Sequence, residues 1–101
     1  RLTFENHFFN AQRYKLDEEW NEEIEELQAC LEVTQQISAV HYELAKAYTN
    51  LNNADLSVEH YQKALKLDEG NIWYMANLAD AYRSKFEYEN ELALRKKLKR
   101  F

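Results

Sequence analysis

Residues 41–65, HYELAKAYTNLNNADLSVEHYQKAL, decide the fold. Leu44, Ala45, Tyr48 and Leu51 fall at i, i+1, i+4 and i+7, one face of a helix, and Val58, Tyr61, Ala64 and Leu65 form a second helical stripe. Each stripe spans three to four turns, and only a few residues around Asn52-Asn53 separate them. So short a connection predicts two antiparallel helices lying side by side. Asn53 is suited to cap the second helix, and Asn52 tolerates the left-handed backbone that such a turn uses. Further on, Gly70 and Asn71 read as the C-terminal stop of that helix and the N-cap of the next.

The same pattern recurs on either side at a period of 34 residues. Ala11, Ala45 and Ala79 share a column, as do Tyr14, Tyr48 and Tyr82. Asn10, Leu44 and Leu78 form a third, and Ile24, Val58 and Leu92 a fourth. Cys30, Ala64 and Leu98, then Val33, Leu67 and Phe101, close each copy without an insertion. Composition agrees with helices throughout. Pro is absent and Gly occurs once in 101 residues, whereas sandwiches, barrels and doubly wound folds draw on both at their turns. The expected architecture is all-α: a right-handed superhelix of three antiparallel helix-turn-helix repeats at 4–37, 38–71 and 72–101, forming one domain.

These columns resemble the tetratricopeptide repeat, whose pattern runs aromatic, Leu, small residue, Tyr, then Ala and Phe, and finally Pro. The middle copy supplies His41, Leu44, Ala45, Tyr48, Ser57, Tyr61 and Ala64 at those places. The third supplies Met75, Leu78, Ala79 and Tyr82, and the first His7, Asn10, Ala11, Tyr14, Leu27 and Cys30. Bacterial members are the most similar, on the detail of Trp73-Tyr74 after Gly70-Asn71. Several positions depart from the pattern. Glu23 and Glu91 stand where the second helix normally carries a small residue, so looser packing or an outward rotation is expected there. Arg95 replaces an aromatic, and Gln35 and Glu69 replace the inter-repeat proline.

The resemblance implies a concave wall, built mainly by the first helix of each pair, that holds a peptide or protein segment. Carried onto this chain, the groove positions are Glu5, Phe8, Gln12 and Lys15, then Ala39, Tyr42, Lys46 and Asn50, then Trp73, Ala76, Asp80 and Arg83. Phe8, Tyr42 and Trp73 are expected to form an aromatic strip, with Gln12, Lys46, Asp80 and Arg83 as its polar fringe. One subgroup clamps the C-terminal carboxylate of chaperones with cationic and amide side chains. Its five positions fall here on Phe8, Gln12, Glu43, Trp73 and Asn77, none of them cationic, so a chaperone-tail receptor is not expected.

Little else in the sequence points to chemistry. His7 and His41 sit one repeat apart, roughly 8–10 Å in stacked hairpins, too far to share a metal. They substitute for the repeat's aromatic, and His60 is expected to face solvent. Asp17, Glu18, Glu19, Glu22, Glu23, Glu25 and Glu26 lie around a turn and helix start, where negative charge is favoured, and read as a solvated acidic face. Cys30 takes a small-residue position and reads as buried packing. Lys96, Lys97, Lys99 and Arg100 complement a helix C-terminus, and a chain of net charge −5 does not suggest nucleic-acid binding. Net charge runs from −6 over residues 1–37 through −2 over 38–71 to +3 over 72–101, a gradient able to orient a partner.

The expected function is therefore a protein-interaction scaffold, without catalytic residues, metal or cofactor, forming part of a longer repeat protein. The alternative is a sensory or regulatory segment of a larger signalling or transcription-regulating protein. No membrane span is expected, and the sequence is compatible with a bacterial envelope, periplasm or cytoplasm. Leu92, Leu94, Leu98 and Phe101 have no following repeat to cover them, which predicts either a continuation or self-association through the C-terminal helix.

Overall fold

The computed structural model describes residues 3–100, which form six helices and, among the described residues, no strand. In order they are α1 (Phe4–Leu16), α2 (Trp20–Val33), α3 (Ser38–Asn50), α4 (Ala54–Leu67), α5 (Ile72–Ser84) and α6 (Tyr88–Leu98). Each helix packs on the next along the chain, so the hairpins stack into an elongated all-α solenoid of 45 × 25 × 19 Å.

Caps define several starts. Thr3 Oγ1 accepts from the Asn6 backbone N–H at 3.3 Å, Asn53 Oδ1 from that of Leu56 at 3.1 Å, and Asn71 Oδ1 from that of Tyr74 at 3.1 Å. Each satisfies one of the donors that a helix start leaves open.

The three hairpin turns are one device used three times. Glu18, Asn52 and Phe86 take φ values of 57°, 60° and 62°, spaced by the repeat. After each, a backbone N–H returns to the carbonyl of the repeat's tyrosine: Glu19 to Tyr14, Asn53 to Tyr48 and Glu87 to Tyr82, all at 2.9 Å. The N–H of the left-handed residue itself reaches the carbonyl of Lys15, Thr49 or Arg83. This paired closure of a helix C-terminus satisfies its last carbonyls. It is therefore strong enough to hold Glu18 and Phe86 in a conformation that their side chains disfavour.

Gly70 does not act as the predicted helix stop. α4 ends at Leu67 because Asp68 swings out to φ −142°, and the Asn71 N–H closes the link on the Asp68 carbonyl at 3.1 Å. Gly70 has no positive φ, and a Cβ there would meet nothing within 4 Å.

The core lies in the seams between hairpins. One cluster joins Ala11, Ile24, Leu27, Cys30, Val40, Leu44 and Ala47, with Phe4, Phe8, Leu31 and Tyr48 against it. The other joins Ala45, Val58, Tyr61, Met75, Leu78, Ala79, Ala81 and Leu94, with Tyr42, Leu65, Tyr82 and Leu98 against it. Ala11, Ala45 and Ala79 are fully buried, which lets the helix backbones approach. The phenols of Tyr48 and Tyr82 accept from Gln28 and Gln62 at 3.3 and 2.8 Å, so the apolar body packs while the tip stays satisfied.

The C-terminal apolar end is smaller than its sequence suggests. Leu94 is buried and Leu98 packs against the same cluster, because α6 folds back onto α5. Leu92 is exposed, and Phe101 lies outside the described residues. Val33 and Leu67, at helix ends, are also exposed.

Candidate functional site

The first helices of the three hairpins carry the predicted groove residues, but the structure divides those residues into two kinds. Phe8 is half-buried and stacks on Phe4, centroids 6.0 Å apart. Tyr42 is also half-buried, wedged 4.9 Å from the Tyr74 ring and 5.9 Å from Tyr61, with the Lys46 ammonium 4.7 Å from its centroid. Both rings therefore serve the seams. Among the described residues no stacking joins Phe8, Tyr42 and Trp73. Trp73 is the free one, with 70% of its surface exposed.

The polar positions differ likewise. Gln12 and Lys46 are half-buried, Asp80 and Arg83 exposed. Asp80 accepts from Arg95 at 2.8 Å. Glu43, one of the five clamp positions, lies 3.1 Å from Lys15 and 3.7 Å from Lys46. Its charge is thus offset by two ammonium groups.

Glu23 and Glu91, at the small-residue column, do not rotate outward. Glu91 is held inside by Arg95, whose Nε donates to it at 2.8 Å. The arginine that replaces the repeat's aromatic is thus what accommodates that carboxylate. Glu23 has no such partner. It is 1% exposed, and neither carboxylate oxygen has a hydrogen bond. Burial, with the nearby Glu43 charge adding, raises its pKa from 4.5 to about 7 against the opposing pull of Lys15 and Lys46.

The acidic run is therefore not uniformly solvated. Asp17, Glu18, Glu19, Glu22 and Glu25 are exposed, whereas Glu23 is buried and Glu26 half-buried. Glu26 receives His7 Nδ1 at 2.6 Å and the Asn10 amide at 3.3 Å.

His60 also departs from expectation: it is buried, not solvent-facing. Its Nδ1 lies 3.1 Å from that of His41, and its ring stacks on both His41 and Tyr48. One ring must donate and the other accept, which suits neutral imidazoles. Burial lowers both pKa values, that of His60 to about 4, with the His41 and Lys63 charges lowering it further and Glu59 opposing. The same pair of positions is thus occupied by His7 and Glu26, by two imidazoles, and by Met75 and Leu94 in successive hairpins. Each pairing is self-consistent, but no single residue shows which it will be.

Cys30 is buried as expected, and burial, then the Glu26 charge, pushes its thiol up to about 11. Among the described residues, no three His, Cys, Asp or Glu side chains converge on a possible metal. Among the same residues, no helix is long and apolar enough to cross a membrane.

A cavity of about 420 Å³ opens where α3, α4 and α5 meet. Thr49, Ser57, Tyr61, Asn77, Asp80 and Ser84 line it. In the sequence Asp80 and Asn77 stand out as groove and clamp positions, and Ser57 and Tyr61 only as repeat-pattern residues. The lining residues come from three helices, and the sequence does not mark them as walls of one cavity.

Residues 38–71 match the family model described as Tetratricopeptide repeat. Solved structures of the same fold include a MamA protein, at TM-score 0.88 and 20% identity over 94% of this chain and 52% of that one. Another is MamA from residue 41 to its end from Desulfovibrio magneticus RS-1, at TM-score 0.89 and 18% identity over 96% of this chain and 55% of that one. A double mutant of the RS-1 protein gives TM-score 0.91 at 18% identity, over 96% and 55% of the two chains. The chain thus spans little more than half the length of these structures. No curated protein sequence matches it.

Proposed function

We propose, for this solenoid of tetratricopeptide repeats, that its concave face binds a segment of a partner protein, as a scaffold rather than an enzyme. Stacked hairpins of this kind present an extended wall along their first helices, and the fold supports protein interaction in general. The observation that carries the reading is Trp73, 70% exposed on the first helix of its hairpin. It fills no seam, unlike Phe8 and Tyr42, and an exposed Trp at such a place has the character of an interface anchor. Asp80 and Arg83, on the same helix, supply the polar fringe, with Gln12 and Lys46 on the neighbouring first helices. Tyr42 contributes its exposed edge while bracing the second seam. The groove is mixed aromatic and polar, without the cationic side chains of a carboxylate clamp at Phe8, Gln12, Glu43, Trp73 and Asn77.

A photo-crosslinking residue at position 73, compared with one at Glu59 on the exposed face of α4, tests this. Adducts with a protein from position 73, lost when Arg83→Glu and Lys46→Glu are added, are expected. Equal adducts from both positions place the binding surface elsewhere. Contact between copies through α6 would rest, among the described residues, on Leu92 and Tyr88, 55% and 57% exposed, and is the narrower reading.

A further inference from the structure

The cavity between α3, α4 and α5 is lined by polar side chains whose hydroxyl protons are largely engaged within the protein. Thr49 donates its hydroxyl to the Ala45 carbonyl at 2.9 Å, which makes Ser57 the donor in their 2.6 Å contact. The Ser84 hydroxyl donates to the Asp80 carbonyl at 3.2 Å, and the Asn77 amide to the Trp73 carbonyl at 2.8 Å. The hydroxyl protons of Thr49, Ser57 and Ser84 and one of the two Asn77 amide protons are thus spent inside the protein. What remains is chiefly lone pairs, on the Asn77 amide oxygen, the second Asp80 carboxylate oxygen and the Ser84 and Thr49 oxygens, beside the neutral donors of Asn52, Tyr61 and the second Asn77 amide proton.

The surrounding charge has the same sign. Arg95 lies between Asp80 and Glu91, 2.8 Å from each, leaving that trio one negative charge in excess. Lys85 lies between Asp55 and Glu87, 3.0 Å from each, with the same excess. Asp55 and Lys85 directly follow Ala54 and Ser84 of the lining, and no lining residue is cationic.

One repeat earlier, the equivalent place is filled. Glu23 occupies the position of Ser57 and is fully enclosed. The shorter serine side chain leaves that volume open in the second seam.

We propose that this cavity takes the guanidinium of an arginine carried by the segment bound on the concave face. A planar cation with five N–H donors matches a site that offers several acceptors and an excess of negative charge and holds no cation in its lining. The proposal rests on the groove reading above and adds the chemistry of one anchoring side chain. The probe is N-acetyl-arginine amide, titrated at low salt while backbone amide NMR shifts are followed. N-acetyl-citrulline amide, the same shape without charge, and N-acetyl-lysine amide are the controls.

Saturable shifts at Thr49, Ser57, Asn77 and Ser84 with the arginine amide alone are expected. Asp80→Asn weakens the response about tenfold or more by removing a charge-assisted acceptor. Ser57→Gln, which copies the size of Glu23 without its charge, abolishes it, with helicity checked by circular dichroism. Asp80 is exposed, so its variant decides the matter if Ser57→Gln does not fold. Equal responses to citrulline or lysine, shifts mapping to another surface, or an unweakened Asp80→Asn response overturn the assignment. If position 73 still crosslinks while the arginine amide does nothing, the groove reading stands and this inference falls.

Discussion

Glu23→Gln is expected to make the protein more stable, and increasingly so as pH rises. The side chain is 1% exposed with both oxygens unpartnered, so its ionised form has lost hydration without a hydrogen bond in return. Its pKa rises from 4.5 to about 7 in the folded chain. The folded state therefore holds this proton longer than the unfolded state. Stability is highest below pH 4.5 and falls as pH climbs from there to about 7, beyond which the loss is complete. At pH 8 the loss amounts to about 3 kcal/mol, of which roughly 2–3 kcal/mol accrues between pH 5 and 8. Glutamine keeps the shape and cannot ionise, so that part of the slope disappears. Urea unfolding of both proteins across pH 5–8 reads it directly. With slopes of about 1–3 kcal/mol per molar urea, the variant's midpoint gains about 1–2 M over the wild type across that range. A difference between the two proteins that does not change with pH would refute the reasoning. So would a variant less stable than wild type at pH 8, because it would mean that the ionised carboxylate is satisfied.

The imidazole pair has the opposite sign. His60 has its folded pKa lowered from 6.5 to about 4, so its stabilising contribution is present above pH 6.5 and lost as pH falls toward 4. His41→Met with His60→Leu, which copies Met75 and Leu94, should remove this loss, worth about 2 kcal/mol at pH 5. The same urea titration checks it, and an unchanged acid slope argues against neutral buried rings. At the third turn, Phe86 is left-handed and exposed. Phe86→Asn, matching Asn52, should add about 0.5–1 kcal/mol and raise the melting temperature by about 3–6 °C. A lower melting temperature would show that the Phe86 contact with Tyr88 outweighs the backbone strain.

Identical columns in the sequence have unequal fates in the fold. Glu23 and Glu91 occupy one column, yet Glu91 is compensated by Arg95 four residues along its own helix and Glu23 only weakly by lysines on α1 and α3. His60, on the second helix of its hairpin, is expected in solvent from the sequence, yet it is buried. Its partner His41 comes from the preceding helix, 19 residues away in sequence. The aromatic strip failed as a strip for the same reason. Tyr42 is captured by Tyr61 and Tyr74, and Phe8 by Phe4 and the first seam, which leaves Trp73 outside.

The sequence by itself determined six helices, their approximate ends, the caps at Asn53 and Asn71 and the reversal at Asn52. These depend on apolar periodicity and on side chains that bond within three residues of themselves, information that is local to the chain. Tertiary structure alone decided which acidic and imidazole groups are enclosed, which aromatic remains free, and where a lone-pair-rich cavity opens between hairpins. Burial, pKa and hydrogen-bond satisfaction at those places are set by side chains from neighbouring helices. The 34-residue spacing specifies which positions meet, but the residues present on both sides determine the chemistry there.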